Sequence, residues 1–233
     1  MGPKHFPRSL VMSTNIRVLV WDENGSHVPA ALYPQGIRGA VAACLAGDPR
    51  LQVLTGHLDQ PEQGLATLDQ TDVLLWWGHL RHAELEVRRA IQITAQIRQG
   101  TLGLIALHSA HHSQVFQRAL SCSGDLGSWR EDDKPEMIRV CAPQHPIAAG
   151  VEDFTLAGEE MYASPFAVPP PECVVLQSWF PAGGEFFPSG LTWRAGAGKV
   201  FYFRPGHETC PSYHHPNVGL ILRNAVAWAA PLG

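Results

Sequence analysis

Short apolar runs that alternate with helix-like segments constrain the fold of this chain more than any other feature. Segments with apolar residues at helical spacing follow these runs, notably over 37–45 and 83–99. Strands that alternate with helices pair in parallel, so this order predicts a parallel sheet with helices on both faces. The four runs in the first half of the chain are Ile16–Trp21, Leu51–Leu54, Asp72–Trp77 and Leu102–Leu107.

The second half has a less regular pattern. Residues 121–135 are polar, glycine-rich and charged, which is typical of a loop. Strands are predicted over 137–141, 154–161 and 173–179, followed by a hairpin (191–194 and 200–203) and a last helix over 218–230. We expect a single domain over residues 15–233, preceded by a flexible N-terminal extension, 1–14.

Composition argues against several classes of partner. The net charge of −4 and the absence of a basic run give no basis for binding nucleic acid or an anionic membrane. No apolar stretch approaches the roughly 20 residues of a membrane span, and residues 1–14 lack the apolar core of a secretory signal. The five cysteines contain no CxxC pair, which argues against a disulfide framework and favours the cytoplasm.

Titratable side chains follow several predicted strands at the point where each strand ends. Asp22 and Glu23 follow the first run, His79 the third, His108 the fourth, and His207-Glu208 the last. Parallel strands place their carboxyl ends at one edge of the sheet, where α/β proteins bind ligands. A lone histidine at a strand end is usually an ordinary hydrogen-bonded residue, but three on one edge predict a site.

The remaining histidines are less informative. His82, His111 and His112 follow within about one helical turn, where they either share a face with the site or act as solvated helix caps. His214 and His215 either cap the last helix or reach the rim of the site. His5, His27, His57 and His145 are expected to be ordinary surface residues.

A second polar group lies at Glu159-Glu160-Met161-Tyr162. Neighbouring side chains on a strand point to opposite faces, so only one of the two carboxylates can enter a site, and we favour Glu160 with Tyr162 on its face. Trp129-Arg130, in the predicted polar loop, is a candidate platform for stacking a sugar.

Four segments resemble the ThuA-like proteins of the trehalose-utilisation group: Trp76-Trp-Gly-His79, Gly103-Leu-Ile-Ala-Leu-His-Ser109, Glu159-Glu-Met-Tyr162 and Gly198-Lys-Val-Phe-Tyr-Phe-Arg-Pro-Gly-His207. The resemblance runs from about residue 16 to 230. It implies a flavodoxin-like three-layer fold with a mostly parallel central sheet, as in class I glutamine amidotransferases. It also implies a role in disaccharide or keto-sugar metabolism, without fixing a reaction.

The amidotransferase comparison fails at the catalytic nucleophile. That fold carries a cysteine on the turn after a central strand, where this chain has His108, so thioester chemistry is excluded. Ser109 remains a candidate nucleophile, and Cys122 and Cys210 lie off the predicted turn. An imidazole in place of the thiol suggests a metal site, with His79, His108 and His207 as ligands and an open position. Zinc fits this set best, and a carboxylate ligand would also suit manganese or iron.

Three functions are compatible with this pattern. The first is a metal-assisted sugar isomerase or hydrolase in which Glu160 or Glu208 is a ligand or the general base. The second is a metal-free enzyme with His207 and Glu208 as an acid–base dyad and His108 orienting the substrate. The third is a non-catalytic sugar-binding or regulatory module. A homo-oligomer is compatible with each. The expected substrate contacts are Tyr162, Trp129, Arg130, His111 and Arg204.

Overall fold

The structure is a computed structural model that describes residues 15–231, so the predicted extension at 1–14 lies outside the described residues. Within these described residues, nine strands form one sheet in the order β2-β1-β3-β4-β9-β8-β7-β5-β6. The strands are β1 Ile16–Asp22, β2 Leu51–His57, β3 Val73–Trp77, β4 Gly103–Leu107, β5 Leu126–Val140, β6 Phe154–Phe166, β7 Cys173–Phe180, β8 Glu185–Ala195 and β9 Gly198–Phe203. The helices are α1 Gly36–Leu45, α2 Pro61–Leu65, α3 Val87–Gln99, α4 Gln114–Leu120 and α5 Pro216–Ala229.

Five strands, β2-β1-β3-β4-β9, are parallel and have the predicted arrangement of three layers. Successive side chains of a strand point to opposite faces, which divides the core in two. Val18 and Val20 belong to one cluster, with residues of α1 and α5. Leu19 and Trp21 belong to the other, with residues of α3 and α4. Burial on both faces explains why β1, β3, β4 and β9 read as continuous apolar runs, whereas the edge strand β2 is partly exposed.

The other four strands are antiparallel, so the expectation of a mostly parallel sheet is wrong. The sheet is mixed because β8 pairs antiparallel with β9, and the pairs β7·β8, β5·β7 and β5·β6 that follow are antiparallel as well. The predicted loop at 121–135 is also wrong, since β5 begins at Leu126. Most side chains over 127–135 are exposed and the register to β6 is broken, so this strand lacks the apolar alternation that would identify it.

None of the helices in residues 15–231 has both the length and the apolar character needed to cross a bilayer.

Strand β4 brings the centre of the sheet against helix α5 so closely that only glycine fits at its first position. A Cβ at Gly103 would overlap the carbonyl oxygen of Ala229 in α5. We expect Gly103→Ala to lower the free energy of unfolding by about 1–3 kcal/mol, the usual cost of overpacking, measured by urea denaturation. Gly219→Ala is the control, since its nearest contact is the flexible end of Arg223 at 3.3 Å. An equal loss in both variants would contradict this explanation.

Candidate functional site

Three imidazole rings meet at the carboxyl edge of β3, β4 and β9. The ring centroids of His79 and His108 are 5.2 Å apart, those of His79 and His207 also 5.2 Å, and those of His108 and His207 5.3 Å. The structure therefore brings together three side chains that are far apart in the sequence. This triangle is the centre of the candidate site.

His108 occupies the sharp turn directly after the central strand β4. Its backbone has φ +52°, in the left-handed region that side chains other than glycine rarely adopt. The imidazole is fully buried, and neither ring nitrogen has a hydrogen-bond partner among the described residues. Burial, followed by the charges of His207 and His79, holds the pKa of His108 well below its usual range. His108 is therefore neutral at physiological pH, the form that binds a metal.

His79 is paired with Glu208. Its Nδ1 lies 2.9 Å from both carboxylate oxygens of Glu208, whereas Nε2 of His207 is 3.8 Å from Glu208 Oε2. The predicted dyad of His207 and Glu208 is therefore replaced by a dyad of His79 and Glu208. Burial acts to lower the pKa of His79, but the hydrogen bond and charge of Glu208 outweigh it and raise that pKa.

The loop that carries His79 is held by a buried carboxylate from β1's end. Glu23 accepts backbone N–H bonds from His79 at 2.9 Å, Leu80 at 2.8 Å and Arg81 at 2.8 Å. Three donors on one carboxylate fix the path of the loop. Glu23, which the sequence pattern assigned to this edge, therefore orients His79. Its neighbour Asp22 turns to α1, where it accepts bonds from the backbone and side chain of Arg38.

A second buried carboxylate holds the loop that carries His207. Glu159 accepts the backbone N–H of Gly206 at 2.7 Å and the hydroxyl of Ser212. Arg204 donates to the backbone carbonyl of Glu160 at 2.5 Å and pairs with Glu136 and Glu159. Burial acts to lower the pKa of Arg204, but the charges of these two carboxylates raise it.

Arg204 was expected to contact substrate, and the structure places it elsewhere. Its side chain has no exposed surface and is enclosed by the two carboxylates and the ring of Tyr162. Arg204 instead joins the loop after β9 to strands β5 and β6.

Glu160 faces the imidazole triangle, as the strand pattern predicted, while Glu159 faces away. Its Oε2 lies 3.4 Å from Nε2 of His108 and has no hydrogen-bond partner among the described residues. Burial raises the pKa of Glu160 to about 7, although the charge of His79 opposes this. A carboxyl group in this state can hold or release a proton near neutral pH.

Tyr162 lies two positions after Glu160 on β6. Its ring stacks on that of His108, with ring centroids 5.8 Å apart. Its hydroxyl is 2.7 Å from the Ser109 hydroxyl. The Ser109 hydroxyl therefore has a tyrosine hydroxyl, and not a general base, as its hydrogen-bond partner. This argues against Ser109 as a nucleophile.

Strand β5 forms one rim of the site. Trp129 is 61% exposed and is the register partner of Tyr162, which places both on one face of the sheet. Arg130 points to Asp132 and Glu185. Glu131 has Oε1 3.8 Å from Nε2 of His207. No sequence pattern singles it out, because this part of β5 has the composition of a polar loop.

Three histidines outside the triangle, His111, His214 and His215, make contacts within the fold and do not face the site. His111 is fully buried, its Nδ1 is 2.7 Å from the Gly124 carbonyl, and burial lowers its pKa to about 3. It is neither a solvated cap nor exposed to a substrate. His215 caps α5 by accepting the Asn217 N–H, and His214 is exposed and stacks on Tyr33.

His27, expected to be an ordinary surface residue, lies at the site. Its ring stacks on Trp77, and Nε2 is 3.4 Å from Glu23 and 3.7 Å from Glu208. No sequence pattern indicates this, because the loop from β1 to α1 brings it there.

The donor set fits a divalent metal. One ligand atom from each of His79, His108, His207 and Glu208 lies within 4.8 Å of the others, and so does a second set in which Glu131 and Glu160 replace His108 and Glu208. Bonds of 2.0–2.1 Å to a tetrahedral zinc place ligand atoms about 3.3 Å apart. The ligand atoms would have to approach one another by about 1.5 Å at most to bind zinc, and rotation of the side chains can provide this.

The dyad makes a prediction for the metal-free protein. We expect Glu208→Gln to lower the pKa of His79, because it removes the charge and acceptor that raise it. The raised pKa of His79 contributes stability that is present below its unfolded value of 6.5 and is lost as the pH rises through the folded pKa. The lowered pKa of Glu208 contributes stability that is lost as the pH falls through its own folded pKa, so the pair stabilises the fold only between the two. NMR titration of His79 in chelator-treated protein measures the shift. Glu131→Gln is the control, and an unchanged His79 pKa in Glu208→Gln would contradict the pairing.

Comparison with known proteins identifies relatives by sequence and by fold. The family described as ThuA, trehalose utilisation, matches residues 17–229. None of the curated proteins matches the sequence at a significant level.

Solved structures share the fold at low sequence identity. A protein from Bacteroides uniformis, described as ThuA-like, has a TM-score of 0.65 and 15% identity over 97% of this chain and 95% of that one. A protein from Salmonella typhimurium, described as cytoplasmic, has a TM-score of 0.61 and 13% identity over 93% and 100%. A glutamine amidotransferase from Thermotoga maritima has a TM-score of 0.58 and 9% identity over 91% and 96%. At these identities the similarity establishes an amidotransferase-like fold only.

Proposed function

The chain belongs to the ThuA family, and on that premise we propose that it is an enzyme of carbohydrate metabolism that uses a divalent metal. The proposed substrate is a disaccharide or keto-sugar, and the reaction an isomerisation or hydrolysis in the cytoplasm. Family membership supports the connection with sugar use. The three neighbouring imidazoles support the proposal of a bound divalent metal.

Unpartnered buried nitrogens are the main support for a metal. Both ring nitrogens of His108 and Nε2 of His207 are buried without a partner among residues 15–231, which is costly unless a further group binds there. We assign His79, His108 and His207 as ligands and favour zinc, with manganese or iron as alternatives. When bound, the metal would polarise a carbonyl or hydroxyl oxygen of the sugar.

The protein's own groups would move protons and orient the sugar. Glu160, with its pKa raised to about 7, is suited to exchange a proton with the substrate beside His108. Glu208 orients His79 through Nδ1, an arrangement that fixes the tautomer of a ligand histidine. Trp129, exposed at the rim, provides a face on which a pyranose ring could stack.

The glutaminase reaction of the related fold is not part of the proposal. The turn after β4 carries His108 in the left-handed conformation, where that reaction needs a thiolate. The nearest cysteine in sequence after β9, Cys210, is buried, and burial raises its pKa to about 12. It cannot supply a thiolate at neutral pH.

Metal content and sugar turnover test the proposal together. Protein purified without chelator is expected to contain about one equivalent of metal, and to convert a member of a panel of disaccharides and keto-sugars followed by NMR. Chelation should abolish turnover, and zinc, manganese or iron should restore it. Glu160→Gln should retain the metal but lose turnover. Absence of bound metal, with no uptake from added ions, would contradict the metal assignment.

One observation favours a second candidate, a metal-free acid–base enzyme. The hydrogen-bonded pair of His79 and Glu208 has the geometry of a catalytic dyad. Activity that survives chelation and is lost in Glu208→Gln would identify this mechanism. Sugar binding in calorimetry without turnover would instead identify a non-catalytic binding module.

A further inference from the structure

The antiparallel half of the sheet has an apolar row on its open face. Met137, Trp179 and Phe186 are register partners on the adjacent strands β5, β7 and β8, so their side chains lie side by side. Met137 is 40% exposed and Phe186 54%, and the rings of Trp179 and Phe186 stack with centroids 6.2 Å apart. We call these three residues the open row.

The opposite face of the same strands is fully buried. Ile138, Ser178 and Phe187, each next to a member of the open row, are at most 1% exposed. The strands therefore have one satisfied face and one that leaves a large apolar surface in water. Single exposed apolar residues are normal, but a contiguous row of this kind marks an interaction surface.

A groove of about 530 Å³ lies against the open row. Its floor and walls include Met137, Trp179 and Phe154, and Phe186 stands at its side with more than half of its surface exposed. The surface thus carries both a projecting aromatic ring and a depression large enough to receive one.

Two opposite charges lie beside the groove. Arg139 follows Met137 on the same face of β5, and Asp153 precedes β6; the two are 3.7 Å apart and both well exposed. A patch that carries both signs is complementary to itself when it is turned by 180°. The two form an ion pair within the chain, and a partner of a single charge sign would bring a like charge against one of them.

We propose that the open row and its groove form the interface of a homodimer with two-fold symmetry. Phe186 of each chain enters the groove of the other, and Arg139 of each chain pairs with Asp153 of the other. An isologous contact of this kind uses the same residues on both sides, which is what a surface carrying ring, groove and both charges provides. The interface shares strands β5 and β6 with the rim of the candidate site but none of the residues assigned to it, so its test does not depend on the proposed activity.

Sedimentation velocity over a range of protein concentrations tests the proposal. The wild-type chain is expected to show twice the 25.5 kDa mass of one chain. Phe186→Glu should weaken the dimer at least about 30-fold, as loss of a central interface aromatic does. Ile91→Glu is the matched control, because Ile91 is 51% exposed on α3, outside the row, and its replacement should leave the dimer intact.

A charge exchange tests the register of the contact. Arg139→Asp and Asp153→Arg should each weaken the dimer, and the double variant should regain it because both intermolecular pairs are restored. Circular dichroism melts confirm folding of every variant. A monomeric wild type, a dimer insensitive to Phe186→Glu, or a double variant weaker than both singles would overturn the proposal. In the first case another ligand or partner covers the row.

Discussion

Replacement of Arg204 by methionine is expected to lower the free energy of unfolding by about 3–5 kcal/mol, the usual cost of breaking a buried ion pair. The side chain is completely buried between Glu136 and Glu159, which are also buried. Methionine is similar in length but leaves two carboxylates without their cation. For a chain of this size the melting temperature should fall by about 10 °C.

Arg130 provides the matched control. It also pairs with two carboxylates, Asp132 and Glu185, but on the surface of β5. Solvent screens such pairs, so Arg130→Met should leave the melting temperature nearly unchanged. Urea denaturation of both variants makes the comparison. Equal stabilities of Arg204→Met and the wild type would mean that the buried network contributes nothing to folding.

Replacement of His108 by alanine is expected to reduce zinc affinity by more than about 100-fold, the upper end of what is lost when a group that only orients a ligand is removed. His108 forms one corner of the triangle, has a pKa well below its usual range because of burial, and has both ring nitrogens unpartnered among the described residues. His111, three positions further along the chain, cannot replace it, because its ring is buried and directed at the Gly124 carbonyl.

Competition with a chromophoric chelator measures the affinity in the His108 experiment. His214→Ala is the control, since it removes an exposed imidazole seven positions after His207 in the same loop region. That variant should bind zinc as the wild type does. If His108→Ala also kept its affinity, His108 would not be a ligand, and the site would have to be built from the second set with Glu131 and Glu160.

The sequence predicted the convergence of the histidines for a physical reason. His79, His108 and His207 each follow a buried parallel strand, and register pairing alone brings such strand ends together. The choice of Glu160 over Glu159 also follows from a simple rule, the alternation of side chains along a strand.

The features that could not be predicted depend on contacts between distant segments. Arg204 stands three residues before His207, and nothing local indicates that carboxylates from β5 and β6 enclose it. Likewise, His27 reaches the site through the course of a loop. Strand β5 carries a mixture of charges because much of it faces solvent, so its composition is that of a loop.

The position of β9 has a consequence for how the protein is made. This strand is the last of those within residues 15–231 to be synthesised, yet it lies in the middle of the sheet, between β4 and β8. Until the ribosome has released residues 198–203, the parallel and antiparallel parts of the sheet have no strand pairing through which to join. His207 and Arg204 arrive with the same segment. The sheet, the buried charge network and the histidine triangle can therefore be completed only after this segment has left the ribosome.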